Sequence, residues 1–80
     1  MKTNNNDIAI KEHLKDILLY ILWGEISHDY FDKDANWIYT RINGNDKAGN
    51  KVSFTEEEKE RLKGALTDIS NKIRKAVDNL

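Results

Sequence analysis

The amino-acid sequence predicts a small all-α domain of four helices. The segment that ends at Leu80 carries apolar side chains at alternating four- and three-residue spacing, and a second helical pattern lies near the N-terminus. Asp and Thr residues stand where helices could be capped, and the chain contains no proline or cysteine. Eighty residues support one domain with a small core. We expect residues 1–6 to form a disordered polar tail and residues 7–80 to form a single helical domain.

The first predicted helix extends from Ile8 to about Trp23. Asn6 or Asp7 could cap its start, and Gly24 is suited to the position after its last residue. Apolar residues recur at three- and four-residue intervals, which predicts one buried face. That face comprises Ile10, Leu14, Ile17, Leu18, Ile21 and Leu22.

The middle of the chain predicts two shorter helical elements. In residues 25–34, Ser27 could cap one or two helical turns that bury two aromatic residues, Tyr30 and Phe31. Asp34 then caps a helix over residues 35–43, which Gly44 ends. This helix turns one face to the core and the other to solvent. The core face comprises Trp37, Ile38 and Ile42, and the outward face comprises Asn36, Thr40 and Arg41.

A β-hairpin is the alternative for residues 37–54, which would make the domain α+β. Residues 37–42 are rich in aromatic and β-branched side chains, which favour strands. They could pair with residues 51–54 across a polar turn. The Asp34 cap and the Gly44 stop favour the helix, and an isolated hairpin is only marginally stable.

The longest predicted helix follows Thr55 and extends to about Asp78. Thr55 and Glu58 form the sequence signature of a capping box, and glutamates in the first turn suit the helix dipole. The apolar residues form a heptad seam. The seam comprises Leu62, Leu66, Ile69, Ile73, Ala76 and Leu80, with Ala65 and Val77 beside it.

The composition and the spacing of functional residue types indicate neither catalysis, nor metal binding, nor membrane insertion. The two histidines, His13 and His28, lie on different elements and form no metal-ligand pair, and no phosphate-binding glycine loop is present. We therefore expect no enzyme activity, no metal and no cofactor. The longest apolar run, residues 17–23, is too short to span a bilayer, so we expect a cytoplasmic protein. The net charge of −1 excludes a polycationic nucleic-acid coat but not a reader with a few basic residues on one face.

Four stretches of the sequence carry a more specific resemblance. They are Tyr30–Lys33, Trp37–Gly44, Phe54–Glu57 and Ala65–Ile73. These stretches are similar to a family of short uncharacterised bacterial proteins. The order of features from Ile26 to Ile73 resembles the lambda-repressor/Cro-like class of helix-turn-helix proteins. That order is a short helix, a tight turn, a second helix that ends in Arg41–Gly44, and a Thr-capped helix with Leu62, Ala65 and Leu66. The resemblance implies that residues 35–43 form a recognition helix that enters the major groove of double-stranded DNA.

The resemblance further implies roles for individual residues. Asn36 and Thr40 would touch base edges, since Asn can form a bidentate pair with adenine. Basic side chains would contact phosphates and set the register. These are Lys33, Arg41, Lys47 and Lys51. We therefore expect a small DNA-binding regulator from a phage or other mobile element.

The last helix predicts a homodimer. About 24 helical residues span about 36 Å, which exceeds what a three-helix core covers. The residues expected at the dimer interface are Ile69, Ile73, Ala76, Val77 and Leu80. The alternative function is a non-enzymatic protein-interaction module, an adaptor or inhibitor, which the acidic residues at the start of the last helix favour because DNA would repel them.

Overall fold

A computed structural model describes residues 10–80 and contains four helices. These are α1 (Ile10–Leu14), α2 (Trp23–Phe31), α3 (Ala35–Asn43) and α4 (Glu56–Asn79). Helix α3 packs against α1 and α2, and α4 packs against α2. The predicted all-α class is confirmed. The predicted polar tail and the start of the first helix at Ile8 lie outside the described residues.

The prediction that the first helix continues to about Trp23 is wrong, because α1 ends at Leu14. Residues 15–20 form turns, and Trp23 begins α2 rather than ending the first helix. Leu14 and Trp23 are both buried in one core, and the Trp23 indole N–H donates to the Leu18 carbonyl oxygen at 3.0 Å. A continuous helix would hold these two side chains about 13.5 Å apart along its axis. The chain therefore leaves the helix so that both can enter the same core.

This break also changes the predicted buried face and the role of Gly24. Leu22 was expected to face the core but is 75% exposed, whereas Ile17, Leu18 and Ile21 are partly buried against the core. Gly24 lies inside α2 and does not end a helix. A Cβ atom at Gly24 would lie 3.2 Å from the Ala35 Cβ, so the glycine allows α2 and α3 to approach each other closely.

Three residues, Asp32 to Asp34, connect α2 to α3. Asp32 adopts a left-handed conformation with φ of 57°, which Asp tolerates better than most residues. Ser27 was expected to cap a helix, but it is fully buried inside α2. Its hydroxyl donates to the Asp34 carbonyl oxygen at 2.6 Å. The Lys33 N–H donates to the Ser27 carbonyl oxygen at 3.0 Å, so Ser27 holds this turn with both its side chain and its backbone.

The predicted boundaries of α3 are confirmed. The Asp34 carboxylate accepts the Trp37 N–H at 3.0 Å, and the helix ends at Gly44, whose φ of 91° suits a residue without a Cβ. The hairpin alternative is wrong. In residues 37–54, the only β-type pairing is an isolated bridge between Asn45 and Lys51. The helix is favoured over the hairpin because both ends of α3 are capped and because Ile38 and Ile42 are buried on one face.

The capping box of α4 is also confirmed. The Thr55 hydroxyl accepts the Glu58 N–H at 3.1 Å, and the Thr55 N–H donates to the Glu58 carboxylate at 2.9 Å. Leu62 and Ala65 bury the first half of α4 against the rest of the core. Residues 70–80 are exposed, so this 24-residue helix is packed only as far as Ile69.

An aromatic cluster joins the end of α2, α3 and the loop before α4. The ring centroids of Phe31 and Trp37 are 4.7 Å apart, and those of Trp37 and Phe54 are 5.8 Å apart in an edge-on arrangement. Tilted and edge-on aromatic pairs add to the stability that burial provides. The cluster therefore holds the end of α2 and the side of α3 in one position. No helix in the described part of the chain is long and apolar enough to cross a membrane.

Candidate functional site

Helix α3 exposes part of its predicted DNA-facing surface. Asn36, in its first turn, is exposed, and so are Tyr39 and Asn43. Thr40 is only partly exposed, and its hydroxyl donates to the Trp37 carbonyl oxygen at 2.8 Å. The hydroxyl proton of Thr40 is therefore engaged within the helix, which leaves its oxygen available only as an acceptor.

Arg41 does not point freely outward as expected. Its guanidinium carbon lies 4.6 Å from the centroid of the Trp37 ring, a cation–π arrangement. One terminal nitrogen donates weakly to the Thr40 hydroxyl oxygen at 3.4 Å, and Nε is buried without a partner. The sequence could not reveal this contact, because it depends on which side of Trp37 faces the core. Arg41 is held on the surface of α3 and does not extend from it.

The predicted phosphate-binding lysines lie at the two ends of α3. Lys33 is in the turn before α3, and Lys47 and Lys51 are in the loop that follows it. That loop returns to the end of α3, since the Val52 N–H donates to the Gly44 carbonyl oxygen at 3.2 Å. All three lysines are exposed. The structure thus brings the lysines to both ends of the helix that carries Asn36.

Two carboxylates near the ends of α3 accept hydrogen bonds from backbone amides. Asp34 caps α3, and Asp46 accepts the N–H groups of Ala48 and Asn50 at 3.0 and 2.9 Å. The hydrogen bond from the Asn50 N–H is the main reason that the pKa of Asp46 lies below its ordinary value. Residues 32–51 contain four Lys or Arg and three Asp, a net charge of +1, whereas the whole chain carries −1. The region around α3 therefore carries a slight positive charge in a protein that is slightly acidic as a whole.

A second surface, missed by the sequence interpretation, is an apolar groove between residues 20–22 and α4. Leu19 and Tyr20 are 94% and 83% exposed, and Leu22 is 75% exposed. We define the apolar groove by Tyr20, Leu22, Ile69 and Ile73, with Glu25, Asp29 and Lys72 at its rim. The signal was present in the seven consecutive apolar residues 17–23, because one face of a single helix cannot bury seven in a row.

The residues expected at a dimer interface divide into two groups. Ile69 is partly buried against the protein's own core. The others are exposed, with Ile73 at 56% and Val77 at 55%, and Leu80 fully exposed. Ala76 is exposed too. The apolar side chains of the second half of α4 are therefore available for contacts outside this chain.

The family of the chain follows from comparison with known sequences. A family model described as a domain of unknown function, DUF5053, matches residues 10–80. The chain belongs to the DUF5053 family. No curated protein matches this DUF5053 chain, and no solved structure does. The predicted similarity to an uncharacterised family is confirmed at this level, and the helix-turn-helix class stays a prediction. Within residues 10–80 of the DUF5053 chain, no three His, Asp or Glu side chains are grouped to hold a metal ion.

A hydrogen bond between side chains joins α2 to α4 in this DUF5053 domain. The Tyr30 hydroxyl donates to the Asp68 carboxylate at 2.6 Å. This bond is the main reason that the pKa of Asp68 is lowered, and the Lys72 ammonium at 3.7 Å contributes as well. The same bond raises the pKa of Tyr30. The bond lies at the edge of the apolar groove, where it links α2 to α4.

We expect Tyr30→Phe to raise the pKa of Asp68 towards its ordinary value, measured by carboxyl-carbon NMR titration. The phenol stabilises the ionised carboxylate, so its removal favours the protonated form. Because the folded-state pKa of Asp68 is lowered, the bond stabilises the fold above the unfolded-state pKa. This contribution is lost as the pH falls through the folded-state pKa. Tyr39→Phe is the control and leaves the pKa unchanged. A larger rise in Lys72→Met than in Tyr30→Phe would contradict the assignment.

Proposed function

We propose that this DUF5053 domain is a small DNA-binding regulator of the helix-turn-helix type. One observation carries the proposal: an exposed Asn36 lies on a short helix that has exposed lysines at both of its ends. Asn is the side chain suited to a bidentate contact with adenine in the major groove. The lysines are the groups that would hold the helix in register by contacting phosphates.

The dimensions of α3 fit this role. An α-helix with its side chains is about 10–12 Å in diameter, which the major groove of about 12 Å admits, and the nine residues of α3 extend over about 13.5 Å. A helix of this length places Lys33 beyond one end and Lys51 beyond the other. Phosphates line both edges of the major groove, so lysines at both ends of α3 could each reach a backbone strand.

The connection between α2 and α3 supports the same proposal. The turn is short, and Ser27 holds it from inside the core, so α2 and α3 form one rigid unit. A recognition helix must be presented rigidly, because small displacements of its side chains disrupt hydrogen bonds with base edges. Arg41 contributes through its charge beside Trp37 and not as an extended phosphate contact.

Fluorescence anisotropy of the full chain on a random-sequence duplex tests this proposal. We expect micromolar binding at low salt that weakens as salt is raised, because phosphate contacts release counterions. The double variant Lys33→Ala with Lys51→Ala should bind more weakly and reduce the salt slope by about 1 for each lost contact. The matched control is Lys59→Ala with Lys63→Ala, which removes two lysines that pair with glutamates on α4.

The control separates specific contacts from net charge. Both double variants change the charge of the protein equally, so general electrostatic attraction would weaken equally in both. If the two variants weaken binding by the same factor, α3 is not the binding surface. If the wild-type chain does not bind the duplex even at low salt, the DNA-binding proposal is wrong.

A second candidate function is a protein-interaction module that makes no contact with DNA. The exposed apolar groove and the exposed apolar face of α4 favour it, since a monomeric protein rarely exposes such a contiguous surface. The two candidates use different residues, because Lys33, Asn36 and Lys51 do not line the groove. The anisotropy measurement therefore distinguishes them.

A further inference from the structure

The second half of α4 is an unpartnered helix face beside an unfilled groove. Among the described helices, α4 packs only against α2, and its partly buried residues end at Ile69. Ile73, Val77 and Leu80 lie at four- and three-residue spacing, so they share one face of the helix. Ile73 also lines the apolar groove with Tyr20 and Leu22. The apolar surface of Tyr20 and Leu22 thus connects through Ile73 to the apolar residues at the end of α4.

The charges on the two sides of this surface are opposite. Residues 16–32, which include the wall of the groove on α2, contain four acidic residues and no Lys or Arg, a net charge of −4. Residues 69–80 contain three basic residues and one acidic residue, a net charge of +2. Arg74 and Lys75 form no ion pair with any residue in the described part of the chain. The basic helix end therefore retains charge that the acidic wall of another molecule can satisfy.

We propose that the occupant of the apolar groove is the end of α4 from a second copy of this chain, in a reciprocal two-fold dimer. A two-fold axis makes each contact occur twice, so each copy supplies one groove and one helix end. Ile73, Val77 and Leu80 of one copy pack on Tyr20 and Leu22 of the other. Arg74, which flanks this apolar face of α4, then lies over Glu25 and Asp29 of the partner copy.

Electrostatics select this arrangement over a parallel pairing of the two helix ends. A parallel pair would place the basic residues of both copies side by side, and like charges disfavour that pairing. In the reciprocal arrangement, Arg74 of each copy meets the Glu25 and Asp29 carboxylates of the other. The proposal extends the predicted dimer by adding Tyr20, Leu22 and α2 to the interface. It does not rest on DNA binding, because the groove shares no residue with the basic region around α3.

Sedimentation equilibrium of the full chain, from low to high micromolar concentration, tests whether the dimer forms. We expect wild type to be dimeric at the higher concentrations. The double variant Ile73→Glu with Val77→Glu should weaken dimerisation by about 100-fold or more, since two central apolar contacts are each worth at least a factor of ten. Both sites are exposed, so we expect the circular dichroism spectrum to stay helical. A wild-type chain that remains monomeric at high micromolar concentration overturns the proposal.

A charge-reversal pair tests the reciprocal geometry. One variant carries Glu25→Lys and Asp29→Lys, and the other carries Arg74→Glu. Each alone should be monomeric, because both halves of its dimer would oppose like charges. An equimolar mixture should form a heterodimer, because every basic surface then meets an acidic one. Lys63→Glu, on the packed half of α4, is the control and stays dimeric.

Mixing gives an outcome that a folding defect cannot imitate. A misfolded variant would not regain association when mixed with a second misfolded variant. If the mixture stays monomeric, or if either charge-reversal variant alone is as dimeric as wild type, the reciprocal arrangement is wrong. The readout is molecular mass without DNA, so its failure is independent of the outcome of the DNA-binding test.

Discussion

Replacing Trp23 with alanine is expected to lower the free energy of unfolding by about 3–5 kcal/mol. Trp23 is among the largest fully buried side chains, with 1% of its surface exposed, and its loss would leave a cavity between α2 and the turn before it. A chain of this length is stable by only about 4–12 kcal/mol. Truncation of Trp23 therefore removes a large share of the total free energy of unfolding. Urea denaturation monitored by circular dichroism measures the change.

Two further variants test the cause of the Trp23 effect. Trp23→Phe keeps most of the buried ring but loses the hydrogen bond to the Leu18 carbonyl oxygen. We expect its loss of stability to be smaller, with about 1 kcal/mol from the hydrogen bond in addition to the cost of the smaller ring. Leu19→Ala changes a neighbouring apolar residue that is 94% exposed, and should alter stability by less than about 0.5 kcal/mol. Equal losses for Trp23→Ala and Leu19→Ala would contradict the position of Trp23 in the core.

Replacing Ser27 with leucine is expected to cost about 2–4 kcal/mol. Ser27 is fully buried in α2, so a larger side chain overpacks the core, and overpacking costs about 1–3 kcal/mol. The substitution also removes the 2.6 Å hydrogen bond to the Asp34 carbonyl oxygen, worth about 1 kcal/mol. Because that bond holds the turn, we also expect faster amide hydrogen exchange at the start of α3.

The comparison variants for Ser27 separate size from hydrogen bonding. Ser27→Ala removes only the hydrogen bond and should cost about 1 kcal/mol. Ser53→Leu places the same new side chain at an exposed position in the loop before α4, and should change stability by less than about 0.5 kcal/mol. If Ser27→Leu were as stable as wild type, the turn would not depend on this buried hydroxyl.

Local signals in the sequence predicted helices α3 and α4. Asp34, Gly44 and the Thr55–Glu58 capping box lie within a few residues of the helix ends they define, so the sequence alone contains their whole physical cause. The exposed second half of α4 could also be anticipated, because its seam is longer than a small core can cover.

Long-range packing determined what the sequence did not predict. The regular spacing of residues 10–22 is compatible with a continuous helix, and no proline marks the break after Leu14. The break exists because Trp23 and Leu14 share a core, a tertiary fact that no local pattern contains. The position of Arg41 on Trp37 has the same origin. At the candidate DNA surface, the sequence therefore predicted Asn36 and the lysines as exposed groups but misjudged Thr40 and Arg41.

The break between α1 and α2 has a consequence for the folding landscape of this domain. The short-range preference of residues 15–22 is for a helix, whereas their native conformation is a series of turns, so local and global preferences conflict there. Natural sequences retain such frustration at few places, often where a function requires it. Here the frustrated segment supplies Tyr20 and Leu22 to the apolar groove. A redesign that satisfied the local preference with one straight helix would remove the conflict and the groove together.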